Sequence, residues 1–230
     1  MESAASLVWG LAAPSANQFG RVSPTTAAHV QGEFGPDLLI LDGGACTVGI
    51  ESTIIDCTRG QPVLLRPGAI TRAQVQAACG LKVLLKDELL DMAAPAPKAS
   101  GTLESHYAPK ARVRLMQASA LQAALAGLAA NEQGDAIADP DPDSTNGAAP
   151  QAETAGRSSV AVYTRNPGPS PSARFLWQRM PADAAKVAHE LFAVLRKLDA
   201  QGVQQIWIEA PPAGAEWEGV RDRLQRAAAC

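Results

Sequence analysis

Residues 11–30 read LAAPSANQFGRVSPTTAAHV, with Ser15, Asn17, Ser23, Thr25 and Thr26 set around two prolines and a glycine. Hydroxyls and a carboxamide on a rigid loop can read a ribose, a phosphate or a carboxyl group. A helix beginning near Ser23–Thr26 would add backbone N–H donors and a favourable dipole. The same side chains equally suit plain capping and turn formation. Two features further along favour a binding role. In GIESTIIDC (49–57), Ser52 and Thr53 interrupt an apolar strand and face opposite sides, so one hydroxyl points inward or into a cleft and needs a partner there. Arg66 ends the next strand just before Pro67-Gly68, where a guanidinium could grip a phosphate; a surface salt bridge is its commoner fate.

Other chemistries find less support. Cys46, Cys57, Cys79 and Cys230 form no CxxC pair, which reads as reduced cytosolic thiols acting as small buried hydrophobes rather than metal ligands. The DPDPDST stretch (139–145) has prolines and no glycine at its sixth position, against a calcium loop. His29 and His189 fit no catalytic pattern, since His189-Glu190 lacks the second histidine of HExxH. No GxGxxG fingerprint is present, so dinucleotide binding is not supported. With 20 basic and 23 acidic residues the formal net charge is −3, which gives no global footprint for nucleic acid. The opening MESAASLVWGLAA imitates a leader but carries Glu2 where a basic region belongs, and no apolar run approaches the roughly 20 residues of a membrane span. A soluble protein without membrane partners is expected.

These residues need a scaffold, and 230 residues suffice for two modest domains. Aromatics at 4% within a 47% hydrophobic fraction suit helices packed on a sheet. Ser23 is read as a helix cap, with Pro24 at the first helical position and Gly35-Pro36 as the stop. Strands are expected at 38–41, 50–56, 63–66 and 81–85, with 50–56 and 63–66 as a hairpin. Thr71 and Gln74 have capping-box spacing, predicting a helix over 72–79 that ends at Gly80. Residues 87–110 carry linker chemistry. Beyond them, strands at 112–116, 159–163, 175–180 and 203–209 alternate with helices at 120–130, 182–201 and 217–227, which predicts a mostly parallel, Rossmann-like sheet. The segment 131–157 is expected to be a disordered insertion.

The blocks APSAN, SPTTAAHV, LDGG, GIESTIID, LRPGAIT and SGTLESHYAP, in order over residues 11–109, resemble the two-domain threonylcarbamoyl-AMP synthases. VRDRLQRAAA near the end is similar, more weakly, to the close of that family's smaller domain. The resemblance implies an α/β fold: a YrdC-like twisted sheet domain (here 1–86), a linker covering its cleft (87–110), and a Rossmann-like C-terminal domain (111–230). It also implies a cytoplasmic nucleotidyltransferase. Threonine and bicarbonate give a carbamate whose oxygen attacks the α-phosphate of ATP, and the threonylcarbamoyl-adenylate feeds t6A synthesis in tRNA through a downstream transferase. Mg2+ would accompany ATP. Position by position, Ser15, Asn17, Ser23, Arg66 and Tyr107 match ATP-contacting positions, Ala13 and Ser52 match the threonine pocket, and His106 supports the linker.

The family also carries, upstream of Ser-x-Asn, a Lys-x-Arg motif that holds the triphosphate; Lys110-Ala111-Arg112 has the letters but follows HYAP. The N-terminal part of the first domain is therefore expected to be absent, with an uncovered apolar face and a chain inactive or nearly so alone. Three other readings stay open: a double-stranded RNA or tRNA-binding YrdC-like module, a carbamoyl-adenylate relative, and a non-catalytic remnant.

Overall fold

The computed structural model describes residues 10, 13–89, 101, 105–134, 160–166 and 175–229. Cys230, most of the linker and the insertion beyond Gly134 lie outside the described residues.

The first sheet is small and mixed. β1 (Ile54–Asp56) pairs antiparallel with β2 (Val63–Arg66), and β2 pairs parallel with β3 (Leu84–Leu85). β2 is buried throughout because it is central to the three. Between β2 and β3 runs α2 (Arg72–Cys79), started by the expected capping box of Thr71 and Gln74 and closed by a left-handed Gly80. Local chemistry decided this element.

α1 (Ala27–Phe34) starts three residues later than the sequence suggests. Its cap is Thr26, whose hydroxyl accepts from His29 N–H, and not Ser23. Pro24 biases Ser23 toward extended backbone, and the Ser23 hydroxyl is taken by Glu51. The apolar run 38–41 is no strand: Leu39 and Leu41 are exposed and no described strand lies beside them. An apolar run becomes a strand only where a neighbour takes its N–H and C=O groups. Cys46, Cys57 and Cys79 are likewise exposed rather than buried.

The second sheet is wholly parallel in the order β4-β7-β5-β6, with β4 (Arg112–Met116), β5 (Val160–Thr164), β6 (Phe175–Arg179) and β7 (Gln205–Glu209). Side chains of a strand alternate between faces. Val160, Val162 and Trp207 accordingly pack with Leu121 and Leu125 of α3 (Ala118–Gly134). Ala161, Tyr163, Ile206 and Ile208 join α4 (Ala184–Asp199) and α5 (Glu218–Ala228) on the other face. Helices on both faces explain why the central strands read as continuous apolar runs. Val187, Leu191, Val194, Leu195 and Leu198 of α4 are all buried, as their spacing requires.

The two sheets are joined through one core. Val22 and Ile50, from the loops around the first sheet, belong to the same buried cluster as α4 and α5. Contact is backbone to backbone at two glycines. A Cβ on Gly49 would collide with the carbonyls of Ala188 and His189 in α4, and one on Gly219 of α5 would lie 2.8 Å from the Gly68 carbonyl oxygen. Gly49 also has φ 89°, which side chains disfavour. Among the described residues no helix is long and apolar enough to cross a membrane.

Two outcomes follow from these contacts. Gly49→Ala should lower stability by about 1–3 kcal/mol through overpacking, read as a shift of the urea midpoint. Asp56 accepts from both the hydroxyl and the N–H of Thr58 and from Arg59 Nε, which holds its carboxyl at about 2 against an ordinary 3.8. A lowered folded-state value stabilises above the ordinary one and is lost as pH falls through it. Acid titration from pH 4 to 2 should therefore destabilise the native protein more than Asp56→Asn.

Candidate functional site

The loops that precede α1 and β1, together with the end of β2, enclose a cleft of about 770 Å³. Its walls include Ala13, Ser15, Ser23, Ser52, Glu51 and Arg66. Five of the seven residues expected to bind ligand, widely separated in sequence, thus share one cavity.

Arg66 and Ser52 are neighbours because β1 and β2 pair antiparallel. Arg66 Nε and Nη2 donate to the Ser52 carbonyl at 3.1 and 3.0 Å, and Nη2 lies 3.4 Å from the Ser52 hydroxyl. The guanidinium is thereby fixed at the cavity wall, where it is the single basic side chain among the described lining residues. Ser52 is exposed to the cleft, while the hydroxyl of Thr53 turns away and donates to the Ile70 carbonyl at 2.7 Å. The Thr53 hydroxyl is thus spent on a backbone carbonyl, while that of Ser52 lines the cleft and remains available to a ligand.

Ser23 is buried and donates its hydroxyl to Glu51 Oε1 at 2.6 Å. Glu51 Oε2 accepts from Arg223 Nε at 2.9 Å. Arg223 comes from α5 and is fully buried; its Nη1 donates to the Pro67 carbonyl and to Asp222, and its Nη2 to the Glu51 carbonyl. One arginine of the second sheet's helices therefore holds both segments that carry Ser52 and Arg66. Phe192 of α4 lines the cleft directly.

Asn17 and Tyr107 stand elsewhere. The Asn17 amide donates to the carbonyls of Gln18 and Arg21, closing the turn at Gly20, and Asn17 is not among the residues lining the cleft. Tyr107 is buried behind the cleft, stacked on Phe192 with ring centroids 5.3 Å apart and with Arg223 over its ring at 5.5 Å. Its hydroxyl and Arg66 Nη1 both pack against Gly101, where a Cβ would clash with each. Burial, with the Glu51 carboxylate nearby, pushes the Tyr107 phenol up, so it stays neutral. His106 packs edge-on against Tyr107, and burial lowers its imidazole. These two residues brace the wall.

Sequence reasoning missed Glu51, Arg223 and Phe192. The signal for Arg223 was present: it falls on the stripe Val220, Leu224 and Ala227, all buried, where an arginine must have an internal partner. Nothing local names that partner.

Replacing Arg223 by Met keeps volume but leaves Glu51 and two carbonyls without their donor. Breaking a buried pair from one side costs about 3–5 kcal/mol. The expected result is that loss in chemical unfolding, with much of it recovered by the paired change Arg223→Met with Glu51→Gln.

Comparison with known proteins places this architecture. A family model described as "Threonylcarbamoyl-AMP synthase, C-terminal domain" matches residues 70–229, and one described as "Telomere recombination" matches residues 2–68. The threonylcarbamoyl-AMP synthase of Schizosaccharomyces pombe is 33% identical over 224 residues, covering 95% of this chain and 52% of the relative. The enzyme of that name from Pyrococcus abyssi is 40% identical over 108 residues, 46% of this chain and 32% of the relative. The crystal structure of P. abyssi Sua5 complexed with L-threonine superposes with a TM-score of 0.67 at 27% identity, covering 94% of this chain and 56% of that one. A second structure of that protein, with an adjacent histidine and tyrosine replaced by alanine, gives 0.68. The chain thus spans about half the length of the S. pombe relative and of the P. abyssi structure. With a model of the family matched over most of its residues and the same two-sheet fold, the chain belongs to the threonylcarbamoyl-AMP synthase family.

Proposed function

We propose that the cleft binds L-threonine and ATP and serves the formation of threonylcarbamoyl-AMP and pyrophosphate, for t6A modification of tRNA. The observation that carries this reading is the convergence of Ala13, Ser15, Ser23, Ser52 and Arg66 on one cavity. Its volume lies in the range of small-ligand sites. The P. abyssi relative is named as a complex with L-threonine, and its fold over most of this chain is shared.

In this reading Ala13 and Ser52 face threonine, whose methyl and hydroxyl ask for one small apolar and one hydroxyl neighbour. Ser15 and Arg66 face the nucleotide, and Ser23 acts beside them with its geometry set by Glu51. The threonine amine adds to bicarbonate with loss of water. A carbamate oxygen then forms a bond to the α-phosphorus as the bond to the β-phosphate oxygen breaks, and pyrophosphate leaves with the electron pair. The cleft's task is positioning and neutralising charge, for which hydroxyls and one guanidinium suffice.

Magnesium is assigned to the substrate. Its natural ligands are the phosphate oxygens of ATP, and Glu51 in the cleft wall is held by Arg223 and Ser23.

The test is pyrophosphate release by the 230-residue chain at high ATP, with and without threonine and bicarbonate. Release should require both, and Arg66→Ala should lower it by about 10²-fold. Release indifferent to threonine, or unchanged in Arg66→Ala, would overturn the reading.

A further inference from the structure

A second concavity of about 400 Å³ opens between α1 and α4, with walls that include Arg21, His29, Glu33, Lys110, Arg196 and Lys197. Four of these are cations and one is a carboxylate, so the walls carry a net +3 in a chain whose formal net charge is −3. Such a concentration is not neutralised pairwise. Glu33 Oε1 is shared between Arg196 at 2.8 Å and Arg21 at 3.8 Å, and Lys197 donates to the neutral amide of Gln178. Arg196 is also held by the backbone carbonyls of Val22 and Ser23, so its guanidinium is fixed at the wall before any ligand arrives.

We propose that this groove is an anion site for a free di- or triphosphate, separate from the Ser23–Arg66 cleft. A single carboxylate would offset one of three excess charges, whereas an oligophosphate offsets all of them. Its many oxygens match the fork of Arg21 and the rotatable donors of Lys110 and Lys197. The remaining walls are small, Ala28, Gly32, Ala193 and Ala200 among them, and leave the space between the helices open. Among the described lining residues there is no Phe, Tyr or Trp, and the charged donors dominate the walls, so the phosphates are what is chiefly read. The same oxygens occur along an RNA backbone. A pocket confined between two helices suits the compact ion better than a continuous strand, which asks for an extended basic track.

His29 reports occupancy. Thr25 N–H donates to its Nδ1, and its imidazole is lowered by burial and by the Arg196 charge; Arg21, Glu33, Lys110 and Lys197 are the other charged groups on the groove walls. An anion beside it would offset those cations, so the ring should titrate at higher pH when the groove is filled.

The experiment is calorimetric titration of the full chain with inorganic tripolyphosphate in the absence of divalent ions, with His29 ring resonances followed by NMR. The expected result has three parts. One site survives Arg66→Ala, weakens at least tenfold in Lys110→Gln/Lys197→Gln, and raises the His29 titration midpoint. Both lysines are exposed, so the double variant should keep the fold. Binding lost in Arg66→Ala but kept in the lysine variant would place the ion in the cleft and overturn the proposal. So would the absence of binding. A single-stranded RNA oligomer that binds more tightly than tripolyphosphate, and is lost in the lysine variant, would overturn the free-anion source. These results do not depend on whether pyrophosphate release requires threonine.

Discussion

A charge with no access to water must be answered by the protein, and Arg223 is such a charge. Its guanidinium sits fully buried between α5 and the loops of the first sheet, where Glu51 and the carbonyls of Glu51 and Pro67 satisfy it. A desolvated cation of this kind tolerates little variation in the position of its acceptors. The segments 51–52 and 66–67 are consequently tied to a helix of the other sheet. Through Glu51 the constraint passes to Ser23, and the antiparallel pairing of β1 and β2 passes it to Ser52 and Arg66. The cleft is assembled by the second sheet's helices as much as by its own loops.

Packing reinforces the same junction from the other side of the cleft. Phe192 contributes to the cavity wall and stacks on Tyr107, which Arg223 covers. The C-terminal end of the linker thus returns to the site as a buried brace, with Ala108 paired beside Arg21. The resemblance implied a lid that reaches the nucleotide; the described part of that segment lies behind the wall, in contact with the same Arg66 that faces the cavity through the space at Gly101. A residue can shape a pocket from the rear without lining it.

What could be read from the sequence was what short-range chemistry decides. The Thr71/Gln74 capping box, the limits of β2 and β4, and the buried stripe of α4 all follow from residues within a turn or two of one another. The site residues came from ordered blocks, and five of them converge. The failures share a cause. Leu39 and Leu41 have strand-like neighbours in sequence and no partner strand among the described residues, and Ser23 has a cap's side chain whose oxygen is claimed by Glu51, 28 residues on. Nothing near Glu51 or Arg223 in sequence pointed to their pairing with each other. Where the deciding contact is remote, composition and spacing cannot name it.

The 172 residues that separate Glu51 from Arg223 have a consequence for biosynthesis. A nascent chain emerging from the ribosome can form the β1–β2 hairpin early, since its contacts are short-range. Glu51 must then wait without its arginine until translation has delivered α5. Assembly of the cleft therefore follows the synthesis of α5, and is gated by that helix rather than by the loops that line the cavity.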